Sequence, residues 1–421
     1  MKLPTGGHIV IGVLALVALV LGICFLLAWR DALPAIEPPG AGDFAADTIA
    51  RGAQLAALGG CAPCHTAPGG ASFAGGRAID TPFGRIFSTN ITPDPHSGIG
   101  RWSEAAFRRA MREGVDREGR QLYPAFPYDH FTLVSDTDDA ALYAYLMTRR
   151  PVRAEARQNQ LGFPLRIRWI LAAWKLRYFH PGPYQPDTAH DELWNRGAYL
   201  VNGLAHCGAC HTPRNRFGAE NPAQRFAGTE AEDWYAYAIN SASQARVPWD
   251  ADSLSLFLRN GWHDRHGIAQ GPMARVTDDL ARVPDSDCRA IAVYVAWLMS
   301  ESTAAGAPKA APPNSRDGQA IYAAACADCH DGARPLPIGG VRLELSTAVS
   351  GESAINLINV VLDGVRPPEG AAGPIMPGFA STLSDTQLDS LVTYLRGHFA
   401  GKPPWPAFIE HVREARRRSH D

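Results

Sequence analysis

A short cysteine motif that occurs three times constrains this chain more than any other feature. Six of the eight cysteines in the 421 residues belong to it. The copies are Cys61-Ala-Pro-Cys64-His65, Cys207-Gly-Ala-Cys210-His211 and Cys326-Ala-Asp-Cys329-His330. Two cysteines at this spacing before a histidine are typical of covalent haem c attachment. The thiols would add to the haem vinyl groups and the histidine would be the proximal iron ligand. We therefore predict three covalently bound haem c groups. Zinc is a weak alternative, because no copy has a second pair of ligands at finger spacing.

Each motif lies in a longer repeat with helical patterns on both sides. A stretch with a glycine precedes each copy, and the glycines are Gly52, Gly197 and Gly318. A helix with an aromatic and apolar face ends each repeat, and in the last one Ser384 and Gln387 have the spacing of a capping box. A small residue on the first helix would let the terminal helix cross it closely. The pattern predicts an all-α fold with three tandem class I cytochrome c domains.

Shifts in composition give the domain boundaries. Residues 301–315 are rich in proline and alanine and indicate a linker whose ends move independently unless packing prevents it. The predicted segments are an N-terminal anchor (1–30), domain one (44–150), a connecting segment (151–189), domain two (190–302), domain three (314–400) and a basic C-terminal tail (401–421).

The N-terminal region has an apolar run from Ile9 to Trp29 without a charge. Its 21 residues are enough to cross a bilayer as a helix, so we predict an uncleaved transmembrane helix. A cleavable signal peptide is the alternative, although such a peptide usually has a shorter apolar region and a small-residue cleavage site. Cys24 belongs to this run, and Cys288 is expected on a buried helix face.

Methionines that follow the motif are candidates for the sixth iron ligand in two domains. Met376 follows His330 by 46 positions in a loop of glycine and proline, and Met273 follows His211 by 62 positions. Histidine and methionine together are the usual axial ligands of an electron carrier. In domain two the alternative is Met299, which lies at the end of the terminal helix and is better interpreted as a core residue.

Domain one lacks a methionine at this place. The segment QLYPAFPYDHF has Phe126 at 61 positions from His65. His130, four residues further on, is the tentative sixth ligand. The alternatives are a five-coordinate iron, Met111 and Met147. A histidine ligand would give haem one a lower potential than the other two, because imidazole favours reduced iron less than a thioether does.

The residues after the anchor resemble the tri-haem cytochrome c subunits of membrane-bound bacterial dehydrogenases, the family of the alcohol and gluconate dehydrogenase cytochromes. The resemblance is carried by FSTNITPDPHSGIGRWS (87–103), RGAYLVNGLAHCGACHTPRN (196–215) and GPMARV (271–276). The form LYPAFPYDHF is most similar to the branch paired with molybdenum hydroxylases such as nicotinate or isoquinoline dehydrogenase. The resemblance implies a dehydrogenase catalytic subunit as partner, with molybdopterin and iron-sulfur subunits, and ubiquinone or a downstream cytochrome or oxidase as acceptor. The resemblance also implies that the haem domains lie in the periplasm. Together with the predicted N-terminal helix, this gives a single-pass protein of the bacterial inner membrane.

Two functions follow from these residues. The first is electron transfer without a substrate-transforming site, since the chain has no dinucleotide glycine loop and no nucleophile motif. The second is a haem enzyme or sensor with an open iron in domain one. The net charge of −2 gives no indication of nucleic acid binding.

The amphipathic stretch 164–179 is expected to pack between domains one and two, with the membrane surface or a partner as the alternative. The basic tail is interpreted as a solvated helix end, with lipid or partner contact second.

Overall fold

A computed structural model of the chain describes residues 5–301, 315–332, 334–367, 372–406 and 408–418. The residues group into two compact units. The first contains Met1–Asp187, Asn202–His206 and Arg216–Ala219, and the second contains Thr188–Val201, Cys207–Asn215 and Glu220–Asp421.

Helices form most of the regular structure. Up to the end of the connecting segment they are α1 (Thr5–Ala28), α2 (Ala46–Leu58), α3 (Cys61–His65), α4 (Glu104–Glu113), α5 (Tyr128–Phe131), α6 (Asp136–Met147) and α7 (Leu171–Tyr178). In domain two they are α8 (Glu192–Asn202), α9 (Gly208–His211), α10 (Ala251–Asn260), α11 (Pro272–Leu280) and α12 (Asp285–Leu298). From domain three to the tail they are α13 (Arg316–Ala325), α14 (Ala327–His330), α15 (Thr347–Ser350), α16 (Ile355–Asp363), α17 (Asp385–Ala400) and α18 (Phe408–Arg418).

The prediction of an all-α fold is wrong, because the described residues also form three small antiparallel sheets. The strands are β1 (Ala78–Thr81), β2 (Gly84–Phe87), β3 (Gln160–Leu161), β4 (Thr229–Ala231), β5 (Trp234–Ala236), β6 (Trp262–His263) and β7 (Gly267–Ile268). The order β1-β2-β3 forms one sheet, and β4-β5 and β6-β7 form two hairpins. None of these strands exceeds four residues. Such strands are too short for the alternating pattern that identifies a strand in a sequence.

The prediction of an N-terminal transmembrane helix is also wrong. None of the helices in the described part of the chain combines the length and the hydropathy that a membrane crossing requires. The predicted single-pass placement in the membrane depended on that helix and is corrected with it. The prediction counted an uncharged run alone, whereas the structure attaches the end of α1 to domain one. Ala28 is buried there, and its carbonyl oxygen accepts a hydrogen bond from Gln121 Nε2 at 2.9 Å.

The glycines of the first helices allow the close crossing that the sequence predicts. A Cβ atom on Gly52 would lie 1.9 Å from the carbonyl oxygen of Ala141, which is on α6. The corresponding distances are 2.0 Å from Gly197 to the Ala290 oxygen on α12 and 2.0 Å from Gly318 to the Ser390 oxygen on α17. Because a side chain of any size would collide with backbone at these three crossings, each repeat depends on its glycine.

Domain three and the tail share one core. Leu388, Leu391, Val392 and Leu395 on α17 are buried in one hydrophobic cluster that also contains residues of α16 and α18. The predicted capping box at the start of α17 is confirmed, with Ser384 Oγ accepting from the Gln387 amide and Gln387 Oε1 accepting from the Ser384 amide.

The tail is more than a solvated helix end. Val412 on α18 is fully buried, and Arg416 Nε donates to Asp385 Oδ1 at 2.7 Å. One side of α18 therefore completes the core, and Arg416 joins this helix to the start of α17.

The connecting segment packs on the first unit. Leu171 and Ala172 of α7 are buried, and Trp174 Nε1 donates to the Phe217 carbonyl oxygen at 3.0 Å. Lys175 Nζ donates to the Gly114 carbonyl oxygen at 2.8 Å and to Gln121 Oε1 at 2.6 Å. These contacts support the interpretation of the stretch as a packed segment.

Cys288, as predicted, is fully buried on α12. The side chain of Cys24 is outside the described residues.

Candidate haem sites

The three cysteine motifs lie on short helices of four or five residues. The helix α3 contains the whole first motif, and α9 and α14 begin directly after Cys207 and Cys326. The two thiols of a motif are three residues apart, close to one helical turn, so both point to the same side. Cys64 and Cys329 are exposed, and the other four motif cysteines are half-buried. Each motif therefore combines two cysteine thiols with one imidazole, which is the donor set of covalent haem c.

A backbone carbonyl fixes the ring of each motif histidine. His65 Nδ1 is 2.7 Å from the Thr89 oxygen, His211 Nδ1 is 2.6 Å from the Tyr237 oxygen and His330 Nδ1 is 2.9 Å from the Val341 oxygen. Since a carbonyl can only accept, Nδ1 must carry the proton, and the lone pair is then on Nε2. A histidine prepared in this way is a metal ligand whose orientation is set by its second hydrogen bond.

Burial keeps two of these rings neutral. It lowers the pKa of His65 and of His211 below the ordinary value of 6.5, although the carbonyl bond of each ring acts in the opposite direction. A neutral imidazole is the form that binds iron. The two rings are therefore available as ligands at neutral pH.

A frame of backbone bonds, which sequence reasoning missed, supports the first two motifs. The amide of Gly75 donates to the His65 carbonyl oxygen at 2.7 Å, and the amide of Gly228 donates to the His211 oxygen at 2.8 Å. Both glycines have the positive φ that other residues rarely adopt. The signal is visible in the sequence, because His-Thr in both motifs is followed by Phe-Ala-Gly at 73–75 and 226–228.

The same frame includes a threonine next to each histidine. Thr66 Oγ1 accepts from the Phe73 amide and Thr212 Oγ1 accepts from the Phe226 amide, both at 3.1 Å. The loop that returns behind each histidine is therefore held at two points. In domain three Gly340 lies next to the motif histidine instead, since a Cβ on Gly340 would lie 2.8 Å from His330 Nδ1.

The two candidate methionine ligands lie at structured places. Met376 is half-buried beside the core of domain three, and its amide and carbonyl both bond to Val365 at 2.9 Å. Met273 is in the first turn of α11, after Gly271. A Cβ on Gly271 would lie 2.3 Å from the ring of Trp234, so the chain enters this turn in close contact with β5. Met299 is buried at the end of α12, as expected of a core residue.

Phe126 has the same place in its loop as Met273 has in domain two. In domain one the Leu122 amide donates to the oxygen of Gly114, the residue directly after α4, at 2.7 Å. In domain two the Ala269 amide donates to the oxygen of Gly261, the residue directly after α10, at the same distance. Phe126 and Met273 each follow four residues after that amide. The structural correspondence thus agrees with the count from the motif histidines.

His130, the tentative sixth ligand of domain one, is buried on α5. Its Nδ1 is 2.7 Å from the Asn202 carbonyl oxygen, and its ring centroid is 6.4 Å from that of His206. The other candidates, Met111 and Met147, are buried residues of α4 and α6. Ligation of iron by His130, Met273 and Met376 stays a prediction.

Known proteins resemble this chain over most of its length. A family model described as "Cytochrome C oxidase, cbb3-type, subunit III" matches residues 313–395. The fructose dehydrogenase cytochrome subunit of Gluconobacter japonicus is 37% identical over 392 residues, which cover 84% of this chain and 79% of that protein. The gluconate 2-dehydrogenase cytochrome c subunit of Pantoea cypripedii is 36% identical over 411 residues, which cover 91% of this chain and 90% of that protein.

A longer protein is also similar. It is a subunit of the nicotinate dehydrogenase of Pseudomonas putida, and it is 46% identical over 398 residues, which cover 93% of this chain. The chain spans about a third (34%) of the length of that relative.

These relatives are named as cytochrome subunits of dehydrogenases, or as a dehydrogenase subunit, and this confirms the predicted electron-transfer role in place of a catalytic one. A cytochrome c domain implies covalently bound haem c, and the donor set of the three motifs fits it. The chain belongs to the family of dehydrogenase cytochrome c subunits, which serve electron transfer within an oxidoreductase complex.

Proposed function

We propose that this chain binds three haem c groups and passes electrons from a separate dehydrogenase subunit to ubiquinone or to a downstream cytochrome or oxidase. The observation that carries the proposal is the repeated donor set. Three motifs each combine two cysteines with a histidine whose Nδ1 bonds to a backbone carbonyl oxygen. Haem supplies the one-electron chemistry, and the chain sets each potential through its ligands and burial.

The sixth ligands distinguish the three sites. Met273 and Met376 are proposed for the second and third haems, and His130 for the first. Imidazole in place of a thioether lowers the potential of haem one. Haem one would then receive electrons from a low-potential partner, such as an iron-sulfur subunit.

We favour a catalytic partner of the molybdenum hydroxylase type. The support is the LYPAFPYDHF segment and the 46% identity to a protein named as a nicotinate dehydrogenase subunit. A quinoprotein alcohol dehydrogenase or a flavoprotein sugar dehydrogenase is the alternative partner, because relatives with the names of such enzymes are 36% and 37% identical.

The partner can be tested by purifying the chain from its native cells and measuring molybdenum, pyrroloquinoline quinone and flavin in the complex. Aldehydes, N-heteroaromatic compounds, alcohols and sugars are then added while the haem absorption is recorded. Molybdenum together with haem reduction by an aldehyde or an N-heteroaromatic compound supports the proposal. Quinone or flavin, with reduction by an alcohol or a sugar, would select the alternative partner.

A haem enzyme or sensor is the second candidate function, and the phenylalanine at position 126 favours it because it cannot bind iron. Carbon monoxide distinguishes the two functions. A low-spin haem one that does not bind carbon monoxide when reduced agrees with electron transfer. A high-spin haem one that binds carbon monoxide supports the sensor.

A further inference from the structure

The outer edge of β5 is held by an asparagine of domain three. The strand pairs with β4 on one side only, with Tyr235 opposite Glu230. On the other side, the Tyr235 amide donates to Asn356 Oδ1 at 2.8 Å, and Asn356 Nδ2 donates to the Tyr235 carbonyl oxygen at 2.9 Å. Asn356 is buried on α16. Its side-chain amide thus makes the two bonds that a third strand would make.

In domain one an asparagine also bonds to a strand edge. Its strand β2 pairs with β3 at Gly84 and Arg85, and beyond that pairing the Phe87 amide donates to Asn159 Oδ1 at 2.9 Å. Asn159 belongs to the connecting segment and directly precedes β3. In both domains an asparagine from outside the haem domain's own sequence therefore completes the strand edge.

Each asparagine bonds to a strand residue that lies two positions before the residue whose carbonyl orients a motif histidine. Phe87 is followed by Thr89, whose oxygen bonds to His65, and Tyr235 is followed by Tyr237, whose oxygen bonds to His211. A backbone segment of three residues has little conformational freedom once its first residue is held in place. The position of the strand edge therefore sets the position of the accepting carbonyl.

We propose that Asn159 and Asn356 are positioning residues for the proximal histidines of haems one and two. A carbonyl held against Nδ1–H makes the imidazole a stronger donor, and this stabilises ferric iron and lowers the potential. For haem two the positioning residue lies in domain three. One haem domain thereby sets a ligand of its neighbour, and the inference rests on the proposal that domains one and two each hold a haem.

The other contacts between domains two and three provide a matched control. Asn359 Nδ2, one turn along α16, donates to the Asp233 carbonyl oxygen at 2.9 Å. This bond joins the same two domains, but it lies on the turn between β4 and β5, away from Tyr237. Asn359→Ala should loosen the docking of α16 and leave the histidine carbonyl in place.

The test is a spectroelectrochemical titration of the full holo chain that resolves the midpoint potentials. In Asn356→Ala one potential should rise, with the ratio of reduced to oxidised haem at a fixed ambient potential at least threefold higher, about 28 mV at 59 mV per tenfold change. Asn159→Ala should raise a different potential. Asn359→Ala should change none by as much as threefold. Ferric-haem NMR shifts should change for the same single haem as the potential does.

The inference is overturned if neither asparagine variant moves a potential, if both move the same one, or if Asn359→Ala has the same effect as Asn356→Ala. If Asn356→Ala does not fold, Asn356→Ser keeps a neutral polar side chain but is too short to make both bonds to Tyr235, and it should raise the same potential. An absent rise in that variant and in Asn159→Ala also overturns the inference. Haem content is measured on every sample, so fewer than three haems in the wild type contradicts the proposed function instead.

Discussion

The close helix crossing of domain three leads to a prediction with a defined sign. Alanine in place of glycine normally stabilises a helix by about 0.5–1 kcal/mol. At Gly318 the new Cβ would lie 2.0 Å from the Ser390 oxygen, 2.7 Å from the Ser390 carbonyl carbon and 2.7 Å from the Tyr394 Cβ. None of these atoms can rotate away, because two belong to the backbone of α17 and the third is attached to it.

The cost is estimated from the gap that must open. Ordinary contact begins near 3.4 Å, so α13 and α17 would have to separate by more than 1 Å in a packed core. Overpacking of this kind costs about 1–3 kcal/mol and occasionally more. We take about 4 kcal/mol for a clash with backbone, from which the propensity gain of up to about 1 kcal/mol is subtracted. Gly318→Ala should therefore destabilise domain three by about 3 kcal/mol, which corresponds to roughly a hundredfold change in the opening equilibrium.

Hydrogen exchange of the full holo chain, followed by mass spectrometry of peptides from α13 and α17, measures this opening locally. Exchange in those peptides should be about a hundredfold faster in Gly318→Ala. Gln319→Ala is the matched control, because Gln319 is the exposed neighbour on the same helix and should change stability by less than about 0.5 kcal/mol. Exchange in Gly318→Ala that is as slow as in the wild type would refute the close crossing.

Two further predictions concern domains one and two. Phe126→Met should raise the potential of haem one toward those of the other haems, because a thioether at this place favours reduced iron; an unchanged or lower potential in a redox titration would contradict it. Burial lowers the pKa of His266 from 6.5 to about 4, and its ring stacks on Trp249. As the pH falls, the unfolded chain therefore protonates His266 at a higher pH than the folded domain does. Domain two should lose about 2 kcal/mol of stability between pH 6.5 and pH 4, after allowance for partial exposure of the ring. Urea unfolding at several pH values measures this loss, which His266→Phe should abolish; an equal loss in the variant would count against it.

The sequence could predict those features that are local or repeated. The haem motifs, the glycines of the first helices and the capping box at Ser384 are each contained within a few residues. Their spacing and their repetition made them recognisable. The same repetition identified Phe126 as the exception.

The remaining features depend on residues that are distant in the chain. Asn356 and Tyr235 are separated by 121 residues, and no local pattern links them. Asn159 and Phe87 are separated by 72 residues. The strands themselves were missed because two to four residues are too few for a period-two pattern. An uncharged run, in turn, was not sufficient to predict a membrane helix.

The central claim is that three haems are attached to one chain, and intact-mass spectrometry of the purified holo protein tests it most directly. We expect a mass equal to the chain plus three haem groups. Replacement of both cysteines by alanine in any one motif, such as Cys207 and Cys210, should remove one haem and leave two. A wild-type mass with two haems or fewer, or a double-alanine variant that keeps all its haems, would contradict the account.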